Sequence, residues 1–273
     1  MGRDPADVEA IEIRLLLEAI HAKYGYDLRD YSEQSIRRRV QAALVKSGLA
    51  HLGELQHRIL TDPIFFSGIL EHLTVRVSDM FRDPVFYRTL RDRVTPLLRT
   101  YPFLNIWHSG CASGEEAYST AIVLNEEGLL DRTQIYATDL SNKALEQAKQ
   151  GVYPADKVAA FNDNYERAGG KSAFASYYTL AYNQVALKEL LRRKVLFFQH
   201  DLVSDHVFGE MHMVFCRNVL IYFRQDLRDR VLDKFAQSLC PGGFLCLGSS
   251  EHLDHRRFAT FAPEQQIYRY QGS

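Results

Sequence analysis

The stretch WHSGCASGEEAY at 107–118 constrains the fold more than any other part of the chain. It reads as a strand, a loop of small residues, and then a helix. Gly110 and Gly114 let the backbone turn sharply and approach a ligand closely, where a Cβ would intrude. In open α/β sheets ligands bind at the carboxyl ends of strands, near the point where strand order reverses. The loop is not G-x-G-x-x-G, which leaves a pyrophosphate cradle, and with it a nicotinamide dehydrogenase, poorly supported. Glu115 and Glu116 open the helix. Acids there suit the helix dipole but would repel a phosphate at the same end, so a cationic ligand fits better. Taken alone, the loop reads equally well as an ordinary strand-to-helix connection with acidic first-turn residues.

After Pro102 strands and helices alternate. Strands are expected at 104–109, 134–138 (ending at Asp139), 195–199, 211–216 and 244–247, with helices at 115–127, 141–150 and 225–239. That alternation implies a largely parallel sheet with crossover helices. The last segment, 266–270, alternates as a strand with no helix before it, so it must pair antiparallel at or near the sheet edge. The stretch of about forty residues before Val195 is too long for an ordinary crossover. Within it 177–182 and 184–187 alternate weakly, and a small antiparallel insertion is expected over about 165–192. Ahead of this region the pattern is helical: 8–22, a helix from Ser32 as N-cap to Lys46 closed by Gly48, then 52–60 and 63–73. The expected organisation is a helical domain at 1–74, a lead-in at 75–103 and an α/β domain at 104–273.

Composition narrows the function. The 273 residues carry 33 Lys and Arg against 34 Asp and Glu, a net charge of −1, whereas a dedicated nucleic-acid binder carries a broad basic excess. No apolar run reaches the eighteen or so residues of a membrane span, and the N-terminus lacks the basic flank and cleavage site of a signal peptide. A cytoplasmic chain without membrane insertion is expected. Cys111, Cys216, Cys240 and Cys246 are spaced neither as a zinc site nor as a disulfide framework, and read as reduced thiols. The histidines show no ligand spacing, so no metal is expected.

Asp139 closes the second strand, where a carboxylate can accept hydrogen bonds from both ribose hydroxyls. It could equally cap the helix beginning near Ser141. Loop and acid together signal a nucleoside-bearing cofactor without choosing between a dinucleotide and S-adenosylmethionine. CRNVLIYF at 216–223 follows another buried strand and places Arg217 and Asn218 where that strand leaves the core. They could satisfy free backbone groups at a helix start; their place at a strand end on this sheet face favours a ligand site.

Read together, VSDMFRDPVFY, GCASGEEAYS, YATDLS, CRNVLIYF and GSSEHL resemble the chemotaxis receptor methyltransferase family, in the family's order and over 24–270. The resemblance implies a Rossmann-like, seven-stranded methyltransferase domain, a small N-terminal helical domain and a small antiparallel β insertion. It also implies transfer of a methyl group from S-adenosylmethionine to glutamate side chains on chemoreceptor cytoplasmic helices. The products are glutamate methyl esters and S-adenosylhomocysteine. Carried over by position, Ser78, Arg82, Gly110, Glu116, Asp139, Asp201, Leu202, Arg217 and Asn218 would hold the cofactor, with Asp139 on the ribose. Arg82 and Tyr222 would lie closest to the reacting methyl group. Family members often have Asn at the positions of Arg76 and Asp201. Asp201 can still accept from an adenine amino group, whereas Arg76 would set a cation beside a sulfonium and is left out of the site.

Arg37, Arg38 and Lys46 make a basic face on the second helix. A short charge run of this kind is usually just solvated; by resemblance it would dock acidic receptor helices. Some family members hold a receptor's C-terminal peptide on the inserted strands through a glycine-containing loop. Residues 182–185 have no glycine, which suggests a tether-independent enzyme. A glutamate of pKa about 4.3 is ionised at neutral pH, so no general base is required. A monomer is expected. The rivals are a same-fold methyltransferase with another substrate and a non-catalytic S-adenosylmethionine-binding module; Arg82, Asp139, Asn218 and Tyr222 argue against the latter.

Overall fold

Apolar residues spaced three and four apart give the first part of the chain its helices, and short apolar runs give the rest its strands. The computed structural model describes residues 5–73, 78–207 and 209–272. The chain divides into two units, 1–76 with 222–231, and 77–221 with 232–273.

The first unit holds α1 (Pro5–Tyr24), α2 (Glu33–Ser47), α3 (Leu52–Thr61) and α4 (Pro63–Leu73). Leu16, Ile20, Val40, Leu55, Ile59 and Leu73 form its core, and the Tyr24 ring stacks on Phe66 with centroids 3.9 Å apart. Gly48 closes α2 in a left-handed conformation, as expected. Ser32 occupies the N-cap position, but its hydroxyl makes no capping bond. Its N–H donates to the Tyr222 carbonyl at 2.8 Å, and the Arg224 N–H donates to the Asp30 carbonyl at 2.9 Å. Segment 222–231, expected within the α/β domain, therefore belongs to the helical unit.

The second unit is built on β1 (Leu104–Ser109), β2 (Thr133–Asp139), β6 (Val195–Gln199), β7 (Met211–Cys216), β8 (Leu239–Leu247), β9 (Phe258–Ala262) and β10 (Ile267–Tyr270). They form one sheet in the order β6-β2-β1-β7-β8-β10-β9. The first five strands of that order are mutually parallel, and β10 is antiparallel to both β8 and β9. This is the expected Rossmann-like arrangement, with the final strand second from the edge. Strand order reverses at β1, which has β2 on one side and β7 on the other, so ligand chemistry belongs at its carboxyl end.

Around the sheet lie α5 (Pro84–Thr89), which continues through a wide turn at 90–94 into α6 (Thr95–Leu98), then α7 (Glu115–Glu126) and α8 (Asn142–Gln150). Further along come α9 (Val158–Arg167), α10 (Glu189–Arg192) and, from Leu232 on, the second half of α11 (Gln225–Ser238). The described part of the lead-in expected at 75–103, residues 78–103, joins the main core through Phe81, Phe86, Tyr87, Leu90 and Val94. In α7, Glu115 and every residue from Ala117 to Leu124 is buried, because the sheet covers one side and the 78–83 turn and α10 approach from others.

The insertion is three-stranded rather than paired: β3 (Val152–Pro154), β4 (Tyr178–Ala181) and β5 (Gln184–Leu187) form a sheet in the order β3-β5-β4. It thus recruits residues ahead of the expected 165–192. Tyr182 and Asn183, both at positive φ, join β4 to β5 in a tight two-residue turn. Among the described residues no helix is long and apolar enough to cross a membrane, and the four cysteines are free and buried.

Candidate active site

The loop after β1 turns through three left-handed residues, Gly110, Ala112 and Gly114. The N–H groups of Gly110 and Cys111 both donate to the Thr138 carbonyl, at 2.8 and 2.9 Å, and fasten the loop to the end of β2. Asp139 completes the attachment: one carboxylate oxygen accepts from the Ala112 N–H at 2.8 Å and the other from the Ser141 N–H at 2.9 Å. Asp139 therefore braces the loop and the start of α8 together. A Cβ on Gly110 would lie 2.6 Å from the Val219 side chain, so glycine is needed both for the turn and for the close approach of the segment after β7.

A chain of charges crosses this strand edge. One Glu116 oxygen meets His108 Nδ1 at 3.1 Å, and the other accepts from Arg217 Nη1 at 2.9 Å. Arg217 Nη2 donates to Asp83 at 2.6 Å, and its guanidinium lies 4.1 Å from the centre of the Phe86 ring. Burial works to raise the Glu116 pKa, but the His108 hydrogen bond and the Arg217 charge outweigh it and hold the carboxylate below its usual range. The Glu116–Arg217–Asp83 chain carries one more negative than positive charge. Glu115 differs. Burial raises its pKa, while hydrogen bonds from Ser113 and Ser78 work against the rise.

Arg82 sits on a strained turn. Its neighbours Phe81 and Asp83 have φ of 53° and 58°. Ser119 Oγ accepts the Phe81 N–H at 2.9 Å, Asn164 Nδ2 donates to the Met80 carbonyl at 3.2 Å, and Asp83 is held by Arg217. Arg82 itself is half-buried. Asn218, also left-handed, donates its N–H to Glu251 at 2.8 Å. The fully buried Glu251 carboxylate accepts two more backbone N–H groups, from Ile221 and Gly248. It fixes the whole turn after β7.

Ser78, Arg82, Gly110, Glu116, Asp139, Arg217 and Asn218 are thus linked in one part of the α/β unit through backbone and side-chain contacts. Asp201 and Leu202 lie in the turn after β6, next to His200, whose N–H donates to the Asp139 carbonyl at 3.2 Å. Asp201 accepts from the Val203 N–H at 2.8 Å. Tyr222 belongs to the helical unit, where the Arg39 guanidinium lies 4.1 Å from the centre of its ring. Arg39 is buried and donates to the Leu73 carbonyl at 2.8 Å. Of the basic-face residues, Arg38 and Lys46 are exposed, and Arg37 is paired with Glu9. Arg76 lies outside the described residues. His108, Asp83 and Glu251 were missed as site residues. Asp83 stands before a helix-opening proline and Glu251 within GSSEHL, but nothing local marks either as the partner of a residue so distant in sequence.

A Rossmann-like sheet in this order, with glycines after β1, an acid closing β2 and a net-negative charge chain at the strand ends, defines an S-adenosylmethionine-dependent methyltransferase. The chain belongs to the CheR methyltransferase family: the family model described as "CheR methyltransferase, SAM binding domain" matches residues 76–267, and "CheR methyltransferase, all-alpha domain" matches 11–74. It is 49% identical over 263 residues to the Cher3 protein of Pseudomonas putida, an alignment that covers 95% of this chain and 96% of that one. It is 30% identical to a chemotaxis protein methyltransferase of Listeria innocua, over 84% of this chain and 85% of the relative. With chemotaxis protein methyltransferase 1 of Vibrio cholerae the identity is 29%, over 89% of each chain.

Proposed function

We propose that this protein methylates glutamate side chains on the cytoplasmic helices of chemoreceptors, with S-adenosylmethionine as donor and glutamate methyl esters as product. The observation that carries the reading is the strained turn presenting Arg82, tied through Asp83 to Arg217 and Glu116. It occurs in a chain whose Listeria and Vibrio relatives are named for chemotaxis methylation.

In this reading Ser78, Arg82, Gly110, Glu116, Asp139, Asp201, Leu202, Arg217 and Asn218 hold the cofactor, Asp139 at the ribose and Asp201 with Leu202 at the adenine. The residues fit that ligand. Asp139 sets a carboxylate at the end of β2, and the surplus negative charge of the Glu116–Arg217–Asp83 chain suits a molecule with a sulfonium and an amino group. S-adenosylmethionine supplies a methyl group made electrophilic by the positive sulfur.

The chain's own work is positioning. The substrate carboxylate, of pKa about 4.3, is already ionised at neutral pH. With the acceptor already anionic, the chain's residues have no proton to move at the carboxylate. This agrees with a site that offers hydrogen-bond donors and charge rather than an acid–base pair. Arg82 orients the carboxylate, and its placement, together with exclusion of water, supplies the rate enhancement. Arg38 and Lys46 carry the freer positive charge of α2 and meet the acidic receptor helices, with Arg37 contributing less because Glu9 shares it. The tight Tyr182–Asn183 turn fits a protein that needs no receptor tether.

The test is transfer of labelled methyl to chemoreceptor cytoplasmic fragments. Base-labile label on glutamate is the expected product. Label that resists base would point to another acceptor, and no transfer despite cofactor binding would overturn the assignment. Arg82→Ala should cut transfer about a hundredfold, the scale at which a misplaced reacting group is felt, with little change in S-adenosylhomocysteine affinity. Near-normal turnover would remove Arg82 from catalysis.

A further inference from the structure

The crossover from β1 to β2 contains α7 and that from β7 to β8 contains α11, but among the described residues no helix lies between β6 and β7. A single turn at 201–205 takes its place, and its own bonds engage its amides and one carbonyl, that of Asp201. The Asp205 N–H donates to the Asp201 carbonyl at 3.0 Å, the Asp201 N–H to Asp205 Oδ2 at 2.8 Å, and the Val203 N–H to Asp201 Oδ1 at 2.8 Å. The later carbonyls of such a turn are left over, as at any helix end.

Lys234, on α11, meets them. Its Nζ lies 2.7 Å from the Leu202 carbonyl, 3.1 Å from that of Val203 and 2.6 Å from that of Asp205. An ammonium has three N–H donors, and here each has a carbonyl of its own. We propose that Lys234 is a positioning residue for cofactor binding: by gathering three carbonyls it locks the 201–205 turn, so that Asp201 and Leu202 stand ready for the adenine. The proposal rests on the reading of Asp201 and Leu202 given above. It also gives the chemistry a reason to prefer lysine. A guanidinium is a planar fork suited to two parallel acceptors, not to three that converge on a point.

The experiment is titration of the intact chain with S-adenosylhomocysteine and, separately, with adenosine, alongside hydrogen exchange of the 201–205 amides. Lys234→Met should weaken both ligands by a similar factor of about ten, because the loss sits at the purine end, and should speed exchange at Val203 and Asp205. Lys234→Arg keeps the charge and the stem and should still show most of the defect; it carries the same test if the Met variant does not fold. Asp201→Ala provides the contrast. If it is impaired while folded Lys234→Met binds within about twofold of wild type, the role of Lys234 is overturned and the adenine reading stands. If Asp201→Ala binds normally, the adenine reading fails and takes the proposal with it.

Discussion

Replacing Arg217 by Met tests whether the charge chain holds the strand edge together. The Arg217 side chain is 2% exposed; of its partners, Glu116 is 20% exposed and Asp83 39%. Met preserves much of the apolar volume against Phe86, so the cost is mainly electrostatic. The two partners lose unequal amounts. Water can take over at Asp83, and that pair contributes no more than about 1 kcal/mol. Glu116 cannot be rehydrated so readily, and removing one partner of a buried pair costs about 3–5 kcal/mol. Because His108 still donates to Glu116, the expected loss is at the low end, about 3 kcal/mol. That is a large part of a typical stability of about 5–15 kcal/mol. Adding Glu116→Gln removes the stranded charge, and the double variant should recover about half of the loss or more. The assay is urea unfolding followed through Trp107, the chain's one tryptophan. It is buried in β1, so its fluorescence follows the α/β unit without mixing in the helical unit's transition. A loss below about 1 kcal/mol, or no coupling between the two positions, would refute the reasoning. Glu116 would then be solvated well enough to stand without Arg217.

Asp139→Ala removes the acceptor for the Ala112 and Ser141 N–H groups as well as the proposed ribose contact, and should weaken S-adenosylhomocysteine binding by about tenfold or more; an unchanged dissociation constant would clear Asp139 of the role. The two glutamates of α7 should respond to pH with opposite sign. Burial raises Glu115 above its ordinary 4.5, so its charged form weakens the fold at neutral pH, and the penalty disappears as pH falls to the unfolded value. Glu115→Gln should therefore raise Tm at about pH 7 and lose that advantage near pH 4; a Tm unchanged or lower at neutral pH contradicts the account. Glu116 lies below 4.5. Its stabilisation is complete above that value and fades as pH falls through the lowered one, so wild type should lose more stability in acid than the Glu116→Gln, Arg217→Met double variant, and parallel acid profiles would contradict it.

The central strands were legible because a parallel strand buried on both faces reads as a short apolar run. β1 and β7 lie where their patterns end. β9 was not, since FATFA sits at a sheet edge and its pairing with β10 shifts register between Ile267 and Tyr268. β3 has three residues and is a strand only because Gln184–Leu187 lies beside it; no local periodicity could show that. Within the site, glycines and polar residues at strand ends stood out. Their partners did not. Arg217 and Asp83 are 134 residues apart, and the three N–H groups gathered by Glu251 come from two separate segments. Assignment of Tyr222 to the helical unit likewise follows from its pairing with Ser32, which no sequence period encodes.

The strain in the site has a common remedy. A left-handed backbone costs a non-glycine residue about 1–3 kcal/mol and persists only where the surroundings over-determine it. Of the seven such residues among those described, Phe81, Ala112, Asn218 and Asp83 belong to the turns that carry the proposed cofactor contacts. Phe81, Ala112 and Asn218 each give their own N–H to a side-chain oxygen from elsewhere in the unit: Ser119 of α7, Asp139 at the end of β2, and Glu251 beyond β8. Asp83 is held instead through its carboxylate, by Arg217. Ser119 and Asp139 are placed by α7 and β2, and Glu251 by the loop that follows β8, so the fold itself supplies the bonds that shape the turns. That preformed geometry suits a reaction with no proton to transfer, in which alignment of the carboxylate is the main thing the protein can supply.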